Sequence, residues 1–221
     1  MDAVTNPELA SPATGADDYF AVFGLPRKLS LDQVLLEREF YKLSRRLHPD
    51  VYARASVQEQ EWALEQSSRL NDAYRTLRDP IARTEYLHKL EGVQLEEQSR
   101  AASDRARSTG VAKQQIVPPD LLEEVFELNM QLEELRAAKK LGEAADEQVM
   151  RDLETAKHNF ESRLGVLGEE LQRYWAEWDA LLEKDEPESG RRAALDKMTA
   201  LLNKRSYIRN LVRDVNEALD V

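Results

Sequence analysis

Residues 30–50, SLDQVLLEREFYKLSRRLHPD, decide the fold. Leu36, Phe40, Leu43 and Leu47 recur at i, i+4, i+7 and i+11, a single apolar stripe that predicts an amphipathic helix. Ser30 with Gln33 forms a plausible capping box at its start. Arg38, Lys42 and Arg45 repeat the same spacing two residues out of phase. At 100° per residue they fall almost opposite the stripe, on the solvent face, and Arg46 widens that basic face. Pro49 ends the helix, because it lacks a donor and pushes the preceding residue out of helical conformation.

Downstream, Ser56 and Glu59 make a second capping box. The helix it opens carries Ala63, Ser67, Leu70, Tyr74 and Leu77 on one face. Two helices with matching stripes and a short connection predict an antiparallel hairpin with His48-Pro49-Asp50 at its turn. Upstream, a short helix is expected over about Tyr19 to Gly24, stopped by Pro26. After the hairpin, Asp79-Pro80 starts a fourth helix with Ile81, Tyr86, Leu87 and Leu90, which stops near Gly92.

Residues 93–118 are polar and irregular and form the expected linker, with the Arg100-to-Arg107 stretch able to make a short helix. The remainder predicts three helices, from about Pro119 to Lys140, Ala145 to Lys184 and Glu188 to Ala218. The middle one carries apolar residues at helical spacing from Val149 to Leu181, and Gly165 and Gly168 are expected to bend or weaken it. The expectation is an all-α protein: residues 1–16 a disordered tail, 17–92 a four-helix domain, 93–118 a linker, and 119–221 an antiparallel three-helix bundle.

Composition narrows the function classes. The chain carries a net charge of −11, unevenly spread. Residues 17–92 hold 12 basic against 13 acidic residues, whereas 119–221 hold 15 against 24, a net of −9. An acidic second half argues against wrapping nucleic acid and permits a basic protein partner. There is no cysteine, which excludes disulfides, thiol nucleophiles, thiolate zinc sites and cysteine ligation of an iron–sulfur cluster. No apolar run approaches the roughly 20 residues that span a bilayer. Residues 1–16 contain Asp2 and Glu8 and no Lys or Arg, unlike a secretory signal or a transit peptide. His88 and His158 are isolated, and acid pairs such as Glu123-Glu124 and Glu133-Glu134 suit solvated helix faces. Trp175 and Trp178 suit core or interface anchors. No catalytic residue, metal site or cofactor is expected.

The basic helix, the His48-Pro49-Asp50 turn, Asn71-Asp72-Ala73-Tyr74 on the returning helix, then Leu77, Asp79-Pro80 and Arg83 closely resemble the J-domain family. That resemblance implies that His48, Pro49 and Asp50, with Lys42, Arg45 and Arg46, dock on a DnaK-type chaperone and stimulate its ATPase. It implies a co-chaperone and not an enzyme. The large generalist members follow the J-domain with a Gly/Phe-rich segment and often zinc repeats, and neither is present here. Instead, Asp18-Tyr19-Phe20-Ala21-Val22-Phe23-Gly24-Leu25-Pro26, Gln66-Ser67-Ser68 and Arg83-Thr84-Glu85-Tyr86-Leu87, with an acidic helical bundle behind them, resemble the iron–sulfur co-chaperone family HscB, called Jac in fungal mitochondria. The match is specific over 17–92 and looser beyond. This chain differs in its tail, in a longer linker and long helix, and in lacking the cysteine motif that the animal form adds. The linker and long helix are extended relative to the compact bacterial members, whereas the missing cysteine motif favours a bacterial, cytoplasmic member. The resemblance implies two partners, an HscA-type chaperone ATPase and the iron–sulfur scaffold IscU.

The helix from Pro119 has more apolar surface than one stripe requires. Leu121, Val125, Leu128, Leu132 and Leu135 form one row. Leu122, Phe126 and Met130 form another, displaced by about 100°. Periodicity allows both rows to be buried between two neighbours, or the second to be exposed. The family resemblance implies exposure: Leu122 and Phe126, with Met130 and with Leu201 on the last helix, match a scaffold-binding surface. Two other functions remain open, a J-protein with a different client and a self-associating helical scaffold.

Overall fold

The structure, a computed structural model, describes residues 18–93, 95, 117–144 and 146–219. The expected tail and most of the expected linker lie outside the described residues. The described residues are helical, with no strand among them. The chain divides into two compact units, Met1–Glu91 and Gly92–Val221.

The first unit holds α1 (Tyr19–Val22), α2 (Gln33–Leu47), a 3-10 turn (Pro49–Tyr52), α3 (Val57–Arg78) and α4 (Pro80–Leu90). Helix α2 is capped by Asp32, whose carboxylate accepts the Val34 and Leu35 amides, and not by the expected Ser30–Gln33 box. An aspartate directly before the first turn satisfies two orphan amides at once and favours the positive end of the helix dipole. The Ser56–Glu59 capping box of α3 forms as expected. The glutamate is held below the usual carboxylate range by bonds from the Ser56 hydroxyl and amide. Asp79 caps α4 through the Ile81 and Ala82 amides, with Pro80 at the first helical position, where a missing amide hydrogen costs nothing.

The core of this unit joins Phe20, Phe23, Leu36, Leu70, Ala73 and Leu77, with Phe40, Leu43 and Leu47 packed against it. Phe40 and Tyr74 stack across the hairpin with ring centroids 4.1 Å apart. Tyr86 stacks on Tyr19 at 4.5 Å, and its hydroxyl accepts the Tyr19 amide at 2.9 Å. Arg27 then bridges Asp18 at 2.8 Å and Glu91 at 3.2 Å, joining the start of the unit to its end. Arg83 is buried, an uncommon place for a guanidinium. Its donors reach the Leu29 carbonyl at 3.0 and 2.7 Å and also the Leu77 carbonyl. One side chain thereby ties the segment before α2 to the end of α3.

The second unit holds a 3-10 turn (Pro119–Leu121), α5 (Leu122–Leu141), α6 (Glu147–Glu183) and α7 (Glu188–Leu219). Its core includes Leu121, Val125, Leu128, Leu132 and Leu135 from the α5 segment, Leu153 and Phe160 from α6, and Ile208 and Val215 from α7. Helix α5 ends at Gly142, whose φ of 70° is the left-handed conformation that a glycine cap supplies without a Cβ penalty. Gly165 and Gly168 do not interrupt α6, which stays helical for 37 residues, about 55 Å. The apolar residues flanking them, Phe160, Leu164, Leu167 and Leu171, are buried or packed on the core, and that burial outweighs the roughly 1 kcal/mol propensity cost of each glycine. Trp175 and Trp178 are both buried.

Candidate functional site: a His-Pro-Asp turn and an exposed apolar row

His48 caps the end of α2 in extended conformation, with φ −63° and ψ 130°. Its carbonyl accepts the Val51 amide at 2.9 Å, and its Nδ1 accepts the Asp50 amide at 3.3 Å. The Asp50 carboxylate lies 3.5 Å from that nitrogen, and its side chain is 90% exposed. Pro49 begins the 3-10 turn that carries Asp50. The loop therefore presents one carboxylate and one imidazole outward, on a tight turn built of backbone hydrogen bonds.

The basic face sits on the helix leading into that turn. Lys42, Arg45 and Arg46 are all exposed. Lys42 donates to Glu39 at 3.0 Å, and Arg38 lies 3.7 Å from the same carboxylate. That pairing, chiefly the Lys42 hydrogen bond, holds the Glu39 carboxyl below its ordinary range and offsets part of the positive charge of Arg38 and Lys42. Arg45 and Arg46 have no ion-pair partner among the described residues. They occupy the last turn of α2, where the negative end of the helix dipole favours cations. The basic side chains of α2 that have no ion-pair partner among the described residues thus lie next to His48 and Asp50.

Sequence reasoning missed two aromatic features here. Tyr41 stands 55% exposed among the basic residues. Tyr52, at the end of the 3-10 turn, meets Trp62 of α3 edge to face at 5.9 Å. Neither belongs to the apolar stripe, so periodicity gave no reason to single them out.

In the second unit the two apolar rows of α5 separate. Leu121, Val125, Leu128, Leu132 and Leu135 are at most 5% exposed, whereas Leu122, Phe126 and Met130 are 56%, 66% and 59% exposed. Leu201 does not join them as a free side chain. It is half-buried and packs against the bundle core, because it lies one residue, about 100°, from the buried Leu202 on the flank of the α7 stripe. Three contacts anchor α5: Asp120 pairs with Lys204 of α7 at 2.5 Å, Glu124 with Arg163 of α6 at 2.5 Å, and Lys139 donates to the Ala218 carbonyl at 2.5 Å. The Lys204 hydrogen bond is the main reason that the Asp120 carboxyl lies below its usual range. Beside Met130, a groove of about 870 Å³ runs between α5 and α6, edged by Glu124, Glu127, Glu134, Asp152 and Arg163.

His88 is buried, its Nδ1 2.7 Å from the Thr84 carbonyl, while His158 is exposed on α6. Among the described residues no group of three His, Asp or Glu side chains is arranged to hold a metal ion. No helix among them is long and apolar enough to cross a membrane.

A hairpin with an outward His-Pro-Asp turn and a basic face leading into it defines the first unit as a J-domain, and the family description "DnaJ domain" matches residues 18–86. The curated proteins that resemble the chain include a co-chaperone protein HscB homolog of Bordetella pertussis, 46% identical over 91 residues, 41% of this chain and 54% of that protein. Another is an HscB homolog of Vibrio cholerae, 37% identical over 120 residues, 54% of this chain and 62% of that protein. The matched region spans about half the length of the first of these relatives. Among solved structures, chaperone HscB from Vibrio cholerae superposes with a TM-score of 0.53 at 26% identity, over 92% of this chain and 98% of that one. Human co-chaperone HscB shares the fold, with a TM-score of 0.52 at 21% identity over 96% and 83%. Residues 18–86 are thus a J-domain, and the chain as a whole is similar to HscB co-chaperones.

Proposed function

We propose that the protein is a co-chaperone that binds an IscU-type iron–sulfur scaffold through its second unit and brings it to a DnaK- or HscA-type chaperone, whose ATPase its J-domain stimulates. The observation that carries this reading is the pairing, in one chain, of an outward His48-Pro49-Asp50 turn with an exposed apolar row on the bundle. Arg45 and Arg46, with Lys42, steer the encounter with an acidic patch on the ATPase, because unpaired surface charges act over about 8–10 Å at physiological salt. The exposed Asp50 carboxylate then engages the ATPase at short range. ATP hydrolysis belongs to that partner, and this chain supplies no catalytic group to it.

Leu122, Phe126 and Met130 form the client surface, with Leu201 at most at its margin. Apolar side chains standing more than half exposed in a row gain free energy only when a partner covers them, roughly 1.5–3 kcal/mol each on full burial. The acidic groove beside Met130 favours a client with basic residues around an apolar contact. The likeness to bacterial HscB homologues supports a bacterial cytoplasmic setting for this work.

Two assays test the reading with the full chain: single-turnover hydrolysis by a DnaK-type chaperone, and calorimetric titration with an IscU-type scaffold. Stimulation together with saturable scaffold binding supports it. Stimulation without scaffold binding would leave a J-protein with a different client. No stimulation, with a stable dimer in light scattering, would favour a self-associating scaffold instead.

A further inference from the structure

The loop that carries Asp50 has little to hold it. Its hydrogen bonds are local: Val51 to His48, Asp50 to the His48 imidazole, Ala53 to Asp50 at 3.4 Å and Ala55 to Tyr52 at 2.9 Å. Both ends are fixed, by the last turn of α2 and by the Ser56–Glu59 capping box. Between them, residues 48–55 pack along α3 and, among the described residues, make two directional contacts with it. Gln60 Nε2 donates to the Ala55 carbonyl at 2.9 Å, close to the cap, and the Tyr52 ring meets Trp62. The second contact is the only aromatic pairing of the loop among the described residues, and it sits on the same 3-10 turn as Asp50.

The Asp50 side chain has little packing to position it, because it is 90% exposed and its ion-pair contact is with the His48 imidazole, itself 55% exposed, at 3.5 Å. Its placement must come from the backbone turn. A four-residue 3-10 turn has poor hydrogen-bond geometry and little stability of its own. Tyr52 closes that turn, so fixing its ring fixes the orientation of the turn as a body. The ring planes of Tyr52 and Trp62 meet at 64°, the edge-to-face arrangement that aromatic quadrupoles favour. Trp62 is 36% exposed, so its burial contributes less to the hydrophobic core than that of Leu70 or Leu77, both at most 1% exposed.

We infer that Trp62 is a positioning residue: through the edge-to-face contact with Tyr52 it holds the 3-10 turn against α3 and so sets where the Asp50 carboxylate stands when the ATPase arrives. This rests on the J-domain reading of the proposed function. Trp62 acts through Tyr52 and need not touch the ATPase.

The experiment measures maximal stimulation and half-saturating concentration separately, in single-turnover hydrolysis by a DnaK-type chaperone, for the full chain and for Trp62→Ala, Trp62→Phe, Tyr52→Leu and Asp50→Ala. Hydrogen exchange at the Val51 amide gives a readout independent of the ATPase. Trp62→Ala and Tyr52→Leu should each lower maximal stimulation roughly three- to tenfold, the equilibrium weight of one aromatic pair. Half-saturating concentration should stay within about twofold, Val51 exchange should quicken, and Trp62→Phe should restore most of both. Unchanged Val51 exchange in Trp62→Ala would overturn the inference. So would an unchanged maximum with a raised half-saturating concentration, which would make Trp62 a direct contact. If the unaltered chain fails to stimulate, the proposed function falls while the exchange data still decide whether the brace exists.

Discussion

The candidate functional surfaces of the two units are built in opposite ways. In the J-domain the candidate site is polar and lies on a turn, where the Asp50 side chain, 90% exposed, has no packing role to obscure it. On the bundle the candidate site is apolar and lies on a helix whose other face is core. Both Leu121 and Leu122 are leucines in consecutive positions, yet one is fully buried and the other 56% exposed. A charged turn announces itself by chemistry. An apolar recognition row differs from a core row only in what covers it, and that is a property of the fold.

The sharpest way to break this contrast is at Asp50. If the J-domain site is a surface device independent of packing, Asp50→Ala should abolish ATPase stimulation while stability changes by less than the roughly 0.5 kcal/mol typical of exposed positions. A single-turnover assay with parallel circular dichroism melting checks both halves. A folded variant that still stimulates fully would remove the turn from the mechanism.

The bundle allows the same test within one helix. Leu122→Ala with Phe126→Ala should weaken scaffold binding by about 1–4 kcal/mol, up to roughly three orders of magnitude, with little loss of stability. Leu128→Ala, two residues past Phe126 and on the buried side, should cost about 2–5 kcal/mol of stability. Thermal melting and scaffold titration on the two variants must dissociate in opposite directions. A large drop in melting temperature for the double variant would return Leu122 and Phe126 to the core.

How much of this was legible in the sequence follows the same line. The hairpin, the fourth helix and the three bundle helices were readable, because each has a period of 3.6 and a recognisable start or stop. The capping box at Ser56 was readable, but the one at Ser30 was not, since Asp32 stood closer to the first turn and satisfied two amides. Arg83 carried family resemblance, whereas its buried role, bonded to two carbonyls, depends on chain segments 54 and 6 residues away. Leu201 is less exposed than Leu122 or Phe126 for a geometric reason: a residue beside a core position in a helix lies on its flank, and flank residues in a bundle are half covered by the neighbouring helix. Trp62 was invisible because its partner is reached across the turn.

Reversing the charges of Lys42, Arg45 and Arg46 sharpens the J-domain side. Association with the ATPase at low salt should slow about tenfold or more, and its salt dependence should flatten. Because Lys42 already donates to Glu39, Arg45 and Arg46 should account for most of the effect. Stopped-flow association at two ionic strengths separates the three. An unchanged rate would make the face merely solvated.

The smallest expected effect tests whether the bundle's apolar row depends on how α5 is anchored. Asp120 lies two residues before Leu122 and pairs with Lys204, which lowers the carboxyl below its ordinary range. A carboxyl whose folded value is depressed contributes stability that is present above the unfolded value, about 3.9, and is lost as pH falls through the folded value. The aspartate side chain is 58% exposed, so the pair belongs with surface ion pairs worth about 0.2–1 kcal/mol. Lys204→Gln should therefore melt slightly below the unaltered chain at pH 7, and the gap should close as the pH is taken below about 3.9. A gap that stayed constant across that range would mean that Lys204 acts through packing of its aliphatic stem and not through its charge. Scaffold titration of the same variant completes the comparison: a loss of affinity larger than the loss of stability would show that the client row is set by the orientation of α5, and equal affinity would show that the buried row alone holds Leu122 and Phe126 outward.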